Sequence, residues 1–413
     1  MKKSIILLTS FIFASSSAFL FSENMKASAA EYKQNGFTLT YTVSGSEASI
    51  TGCASQSSDA SLLEIPEKIS GYNVTSISAE AFAEVSGLSD ITLPDSVESI
   101  ADKAFWNCKS LSTVHIGSST AEIGDYAFSA CPRMRSFTVS ENNDTYKSVN
   151  GMLYSINGET LISYAGQSDA EIPEGTKTIG KAAFFGNSLL SSVSLPSGLS
   201  YIGDYAFSGC FSLQRISVPI TVKTLGKGCF MNCTSMTNAV LGAGISNIPE
   251  ECFSVCTSLE IVNIPSSVKS ISSLAFFGCS KISGIHIPET VSSVGAYAIG
   301  MRYDIRSKKN VPVKGFYISG CTGSAIEKFA KSSGVDFLDF DNIPYGDVDG
   351  SGNIDSNDAS IVLSEYAKRA TSKPSEFTYY QNLTADYDKD NIIDSTDASL
   401  ILAEYARRAT EGL

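Results

Sequence analysis

The sequence predicts two folds in series: an α/β solenoid of short strands joined by turn or helical segments, then a small all-α domain. Three observations carry this reading. Phenylalanine recurs every 23 residues over most of the chain. Each recurrence is flanked by short apolar runs with the alternation of a strand. Near the C-terminus an acidic loop followed by an apolar helix occurs twice, 39 residues apart. A fixed period in the twenties marks stacked repeats that bury a common core.

The period runs through Phe82, Phe105 and Phe128, then through Phe184, Phe207, Phe230, Phe253 and Phe276, and ends at Ile299. The step from Phe128 to Phe184 is one period plus an insert of 33 residues. A typical unit, VKSISSLAFFGCSKISGIHIPET from Val268, reads as an apolar pair, a Phe, a small or Cys turn, and I-x-I-P. The pattern AF-x-x-C-x-x-L-x-x-I-x-I-P resembles the BspA-like leucine-rich repeats of bacterial surface and secreted proteins. The resemblance spans roughly residues 36–340. It implies a leucine-rich repeat solenoid serving as a recognition surface. The last unit departs from it, with Ile299 for Phe and Arg302 for Cys, so the array is expected to end there.

The ends and the insert read as follows. Phe37, Leu39, Tyr41 and Val43 alternate with polar residues, a half-buried strand in an N-terminal cap. The insert, near residues 142–172, holds strand-like runs at 152–156 and 160–164 joined through Asn157-Gly158. Both turn residues accept positive φ, so a two-residue hairpin standing off the solenoid is expected. Residues 303–340 hold a strand at 315–318, a helix at 324–332 and a last strand, expected to cap the open end. The whole solenoid with its caps is placed at residues 31–340.

Eight of the ten cysteines fall in two columns of the repeat. Cys108, Cys131, Cys210, Cys233, Cys256 and Cys279 lie three places after the Phe; Cys229 and Cys252 lie one place before it, where Ala is usual. Buried packing explains both columns. A disulfide framework is the competing reading for an exported chain, but parallel side chains in adjacent repeats are poorly oriented for one. The same columns, with no His nearby, argue against a metal site at Cys229, Cys233, Cys252 and Cys256.

The exposed strand positions are small and polar, among them Thr92, Thr138, Ser194 and Ser217. They hold no aromatic row and no carboxylate pair for glycoside hydrolysis. His115 and His286 are separated by seven repeat steps and the insert, and each reads as an ordinary strand residue. Trp106, Phe185 and Phe277 follow core Phe positions and read either as partial core or as sugar platforms. No nucleophile elbow, phosphate loop or zinc motif is present. No catalytic residue is assigned.

The acidic loops carry the most specific chemistry. Residues 347–358, DVDGSGNIDSND, place oxygen-bearing side chains at the first, third, fifth, ninth and twelfth positions and glycine at the sixth. This is calcium-loop spacing: a hard cation takes several oxygens, and the sixth position makes a sharp turn. The expected ligands are Asp347, Asp349, Ser351, Asp355 and Asp358, with the backbone carbonyl of Asn353. The second loop, DYDKDNIIDSTD, supplies Asp386, Asp388, Asp390, Asp394 and Asp397, with the carbonyl of Ile392; Asn391 takes the turn. Both loops end in Asp where a standard EF-hand has Glu, and residues 343–346 read as a turn, not an entering helix. The helices that follow, DASIVLSEYAKRAT and DASLILAEYARRAT, nearly match.

Duplicated loop-helix units of this kind resemble the type I dockerin, over residues 345–413. The resemblance implies two Ca²⁺ ions and a cohesin module of a scaffold protein as partner. It also implies recognition through the tenth and eleventh loop positions and the helix face that follows. Those are Ser356, Asn357, Ile361, Leu363, Lys368 and Arg369, and, 39 residues on, Ser395, Thr396, Leu400, Leu402, Arg407 and Arg408. Two near-equivalent faces are expected.

Composition bounds the rest. The chain has 413 residues, 43% hydrophobic and 18% charged, with a net charge of −13. The acidity argues against nucleic-acid binding. Residues 1–30 read as a signal peptide: Lys2 and Lys3, an apolar run at 5–21, and Ala27-Ser28-Ala29 and Ser28-Ala29-Ala30 as alternative small-residue cleavage sites. No later stretch is long enough to span a bilayer. The expectation is a secreted, non-catalytic cellulosome component acting in polysaccharide catabolism. It would be held at the cell surface through a scaffold, with the solenoid recognising a protein or a polysaccharide. A hydrolase acting on O-glycosyl compounds and an adhesin are the alternatives.

Overall fold

The computed structural model describes residues 29–56, 61–166, 168–371, 375, 377–389 and 392–411. Most of the expected signal peptide (residues 1–30), namely residues 1–28, lies outside the described residues, as do Asp390 and Asn391. Contacts divide the chain into two units.

The first unit holds the described residues up to Cys131, with Phe137–Tyr146 and Tyr303–Val311. It opens on three antiparallel strands, Ala30–Gln34, Phe37–Ser44 and Glu47–Ser55. Phe37, Leu39 and Tyr41 are buried, as alternation predicts. The third strand then pairs in parallel with Tyr72–Ile77, which pairs with Ser99–Ile100, and that with Glu122–Ile123. A second parallel ladder runs Leu62–Glu64, Asp90–Thr92, Thr113–Ile116. Each repeat thus gives two short strands, in two sheets, and the core lies between them. The Phe82, Phe105 and Phe128 rings stack at 4.8 and 5.3 Å, and Phe137 meets Phe128 edge-on at 5.0 Å.

The second unit holds Pro132–Ser136, Lys147–Arg302 and Pro312–Leu413. Its ring column runs Phe184, Phe207, Phe230, Phe253 and Phe276, each neighbour 4.5–5.5 Å from the next. The rings are near parallel, because strand pairing sets the repeat spacing and stacks like on like. Tyr164 heads this column, 4.5 Å from Phe184. It lies 20 residues before Phe184, not 23, which hid it from the period.

The insert differs from expectation twice. Met152–Ser155 and Thr160–Ser163 do pair antiparallel, but Thr160–Ser163 also pairs in parallel with Thr178–Ile179. The hairpin is therefore part of the solenoid sheet and does not stand off, because Leu161 is apolar and buried. The turn is not of the two-residue type. Gly158 has φ +76°, while Asn157 is absent from the left-handed residues. The Gly158 N–H closes onto Ser155 O at 2.8 Å, and the glycine follows as the left-handed residue of a longer loop.

The Cys column does more than fill space. Each thiol after the Phe donates to the carbonyl of the Phe one repeat earlier. Cys108 reaches Phe82 O at 2.9 Å, Cys210 Phe184 O at 3.3 Å, Cys256 Phe230 O at 3.1 Å and Cys279 Phe253 O at 3.1 Å. No disulfide joins the cysteines among the described residues. The repeat also bends through two left-handed residues, two places before and two after the Phe. Glu251 and Val255 around Phe253 have φ +58° and +62°. A Gly or Asn at the second position in several repeats is the signal for it in the sequence.

The strand Gly284–His286 pairs in parallel with Tyr317–Gly320, and that with Asp336–Asp339. Between the last two lies α1 (Ala325–Ser333), capped by Ser324 and closed by left-handed Gly334. Three helices follow: α2 (Ser356–Ala370), α3 (Tyr379–Ala385) and α4 (Ser395–Glu411). Val348, Ile354, Ala359 and Val362 from the first loop-helix unit, and Ile393, Ala398 and Ile401 from the second, form one small core with Ala385.

Candidate calcium domain and docking faces

Each acidic loop folds back on the helix it precedes. Asp355 caps α2, accepting from Asn357 N at 2.7 Å, and Asp358 completes a capping box. The Asp358 carboxylate accepts from Val348 N at 2.7 Å and from Asp355 N at 2.8 Å. The second loop repeats this, with Asp397 accepting from Tyr387 N and Asp394 N, both at 2.8 Å. Burial pushes the Asp358 carboxyl up, and the three backbone N–H donors pull it back. The Asn357 amide, bonded to Asp349 Oδ2 at 2.7 Å, holds Asp349 low.

The first, third and twelfth residues converge in both loops. Asp347, Asp349 and Asp358 each offer a carboxylate oxygen within 4.8 Å of the others, and so do Asp386, Asp388 and Asp397. Asp355 and Asp394 are not in these clusters; they serve the helix N-termini. Ser351 is exposed, its hydroxyl 3.3 Å from Asn353 N. Ile392 is exposed, and Asp390 lies outside the described residues. Gly352 has φ +84°, the turn that the sixth position needs. At the fourth position Gly350 and Lys389 are both left-handed, at +74° and +65°.

A divalent cation fits this donor set. Asp347 Oδ1 is buried with no hydrogen-bond partner, while Oδ2 accepts from Gly352 N at 3.0 Å. A buried carboxylate oxygen without a donor is costly unless a cation satisfies it. The clusters offer only hard oxygen donors, as calcium takes.

The expected partner residues divide in their surroundings. Ser356, Asn357, Ser395 and Thr396 are exposed at the helix starts. Leu363 and Leu402 are 44% and 41% exposed. Tyr366 and Tyr405, which the motif reading passed over, are 40% and 42% exposed; their identity across the 39-residue shift was the available signal. Ile361 packs against the core, whereas Leu400 is exposed. The basic ends differ more. Arg369 bonds Glu365 Oε1 and Asn382 Oδ1, each at 2.9 Å, over the Phe377 ring. Arg407 and Arg408 both bond Glu404, whose carboxyl they hold down to about 2.

In the solenoid, Phe277 is buried and Trp106 and Phe185 are half-buried, so these side chains are partial core. His115 Nδ1 pairs with Thr138 Oγ1, and His286 Nδ1 lies 3.3 Å from Ser319 Oγ. His286 lies exposed on its strand, as expected; its ring packs on Phe340 at 4.3 Å, and desolvation there pulls its pKa down. Among the described residues no helix is long and apolar enough to cross a membrane.

The comparisons with known proteins agree with this division. The family model for the BspA type leucine rich repeat region matches residues 57–161 and 155–283, in six copies, more than half of the chain. The model for the dockerin type I domain matches residues 345–404. Similar solved structures include a leucine-rich repeat protein from Eubacterium ventriosum, 20% identical, with TM-score 0.42, covering 65% of this chain and 91% of that one. A leucine rich cell surface protein from Faecalibacterium prausnitzii is 19% identical, with TM-score 0.32 and coverages of 68% and 97%. The pneumococcal vaccine antigen PcpA is 17% identical, with TM-score 0.31 and coverages of 75% and 98%. No curated protein matches the chain. Neither matched family is a catalytic one. Type I dockerins bind calcium and dock onto cohesins in cellulosomes, and both families point to the cell surface or its exterior. The chain belongs to the BspA type leucine rich repeat family and carries a C-terminal type I dockerin domain.

Proposed function

We propose that the chain is an exported, non-catalytic part of a polysaccharide-degrading assembly, plugged into a scaffold cohesin by its calcium domain. The solenoid presents its small polar strand face to a protein or carbohydrate. Two Ca²⁺ ions are held, one by Asp347, Asp349, Ser351, Asp355, Asp358 and the Asn353 carbonyl. The other is held by Asp386, Asp388, Asp390, Asp394, Asp397 and the Ile392 carbonyl. Calcium supplies the positive charge that lets each carboxylate cluster stay ionised at close quarters. Asp355 and Asp394 keep the loops in register with α2 and α4 by capping them.

The observation that carries the docking reading is the matched exposure of Leu363 with Leu402 and of Tyr366 with Tyr405. Exposed apolar and aromatic side chains on two copies of one helix suit two alternative faces for one partner. The test is calorimetric titration of a cohesin. Ser356→Asp with Asn357→Asp should cost little, and so should Ser395→Asp with Thr396→Asp. All four changes together should abolish binding, since either face would then bury an unpaired charge. Loss of binding with one double change alone would leave a single functional face. Titrating the solenoid with plant polysaccharides and extracellular proteins addresses its ligand.

A further inference from the structure

The strand position held by Gly284 carries Ser192, Arg215, Asn238 and Ile261 in the four repeats before it. A side chain has no room at Gly284, because a Cβ there would collide with the ring of Tyr379. The Tyr379 hydroxyl hydrogen-bonds Ser319 Oγ at 2.8 Å, and Ser319 is buried in the strand Tyr317–Gly320. The Tyr380 ring lies 5.8 Å from that of Tyr317. Helix α3 therefore rests on the last strands of the solenoid. It is also tied to the first acidic loop at two points. Gly346 N donates to Thr384 O at 2.8 Å, and the Tyr380 hydroxyl donates to Asp347 Oδ2 at 3.4 Å. Among the described residues one such helix lies between the two loop-helix units.

We infer that α3 is a clasp: it seats the calcium domain on the terminal strand face of the solenoid and, by holding Asp347, makes the first calcium loop answer to that contact. The strand face of the last repeat thus has this chain's own helix as its occupant. The domain rides on the solenoid as a fixed extension and not on a free linker. The coupling to calcium rests on the reading of the loops given above; the seating of α3 does not.

The experiment uses the full chain and two readouts: amide hydrogen exchange over α3 and the strand Tyr317–Gly320, and calorimetric calcium titration. Gly284→Val restores a side chain of the kind the earlier repeats carry and touches neither loop. It should speed exchange in α3 and weaken calcium binding at the first loop roughly three- to tenfold, about the net worth of one ordinary hydrogen bond. Tyr380→Phe should weaken the same site and leave exchange in the strand unchanged. If Gly284→Val disturbs the solenoid itself, Tyr379→Ala takes its place. Equal exchange of α3 in parent and variant overturns the clasp. Unchanged calcium affinity in both variants overturns the coupling. A parent that takes up no calcium sinks the calcium reading, and exchange alone then decides the clasp.

Discussion

In the solenoid the inward column is aromatic, and each inner ring meets one above and one below at about the same distance, as Phe230 meets Phe207 at 5.5 Å and Phe253 at 5.3 Å. In the calcium domain the matched inward positions of the two loops are carboxylates, three in each cluster within 4.8 Å. Both regions are built by repetition, with opposite demands. A stacked apolar column is satisfied by its own neighbours, and each added repeat buries the one before. Clustered carboxylates repel one another and need a cation from outside. The solenoid core is thus satisfied from within the chain, while the acidic clusters call for a cation.

The largest expected effect follows from that difference. Chelation should remove the stability that calcium confers, about 4 kcal/mol for an ion present at a thousand times its Kd. Helices α2 to α4 should melt earlier, while the solenoid melts unchanged. Circular dichroism during heating, with and without chelator, checks it; a single transition that ignores chelator removes the contrast.

Phe230→Ala probes the other side of the comparison. It should cost ~3–5 kcal/mol, as for a large aromatic taken from a core. Calcium should not restore the loss. Exchange should rise first around Phe207 and Phe253, the rings that lose their partner.

Arg369 and Arg408 occupy matched positions and should differ when removed. Arg369→Ala breaks bonds to Glu365, which is 1% exposed, and to Asn382, and should cost about 1–3 kcal/mol. Arg408→Ala should cost at most about 1 kcal/mol, because its pair with Glu404 is nearer the surface and Arg407 still holds that carboxylate. Denaturant melts of the two variants in calcium compare them directly. Equal losses would restore the symmetry of the duplicated sequence.

A further prediction concerns the thiol column. Cys256→Ala should cost about 1–2 kcal/mol, a small volume loss plus the weak bond to Phe230 O. Cys256→Ser should cost more than Cys256→Ala if the site tolerates no stronger dipole, and less if the hydrogen bond dominates. Thermal melts of both separate packing from bonding in that column.

The sequence by itself determined the 23-residue period, the Phe and Cys columns, the two acidic loops and the family of each domain. These are patterns of spacing, and in a stacked repeat or a metal loop spacing sets which side chains meet. Only the tertiary structure decided what breaks the spacing. Tyr164 joins the ring column three residues out of period because a parallel strand pair puts it beside Phe184. The hairpin lies in the sheet because Leu161 is better buried than exposed. Arg369 turns inward while Arg408 does not, because only the first unit is followed by Phe377 and Asn382. Gly284 reads as a gap in a column of side chains until α3 is seen resting on it. Each of these depends on which surfaces meet across long stretches of chain, and a period read along the sequence carries no term for that.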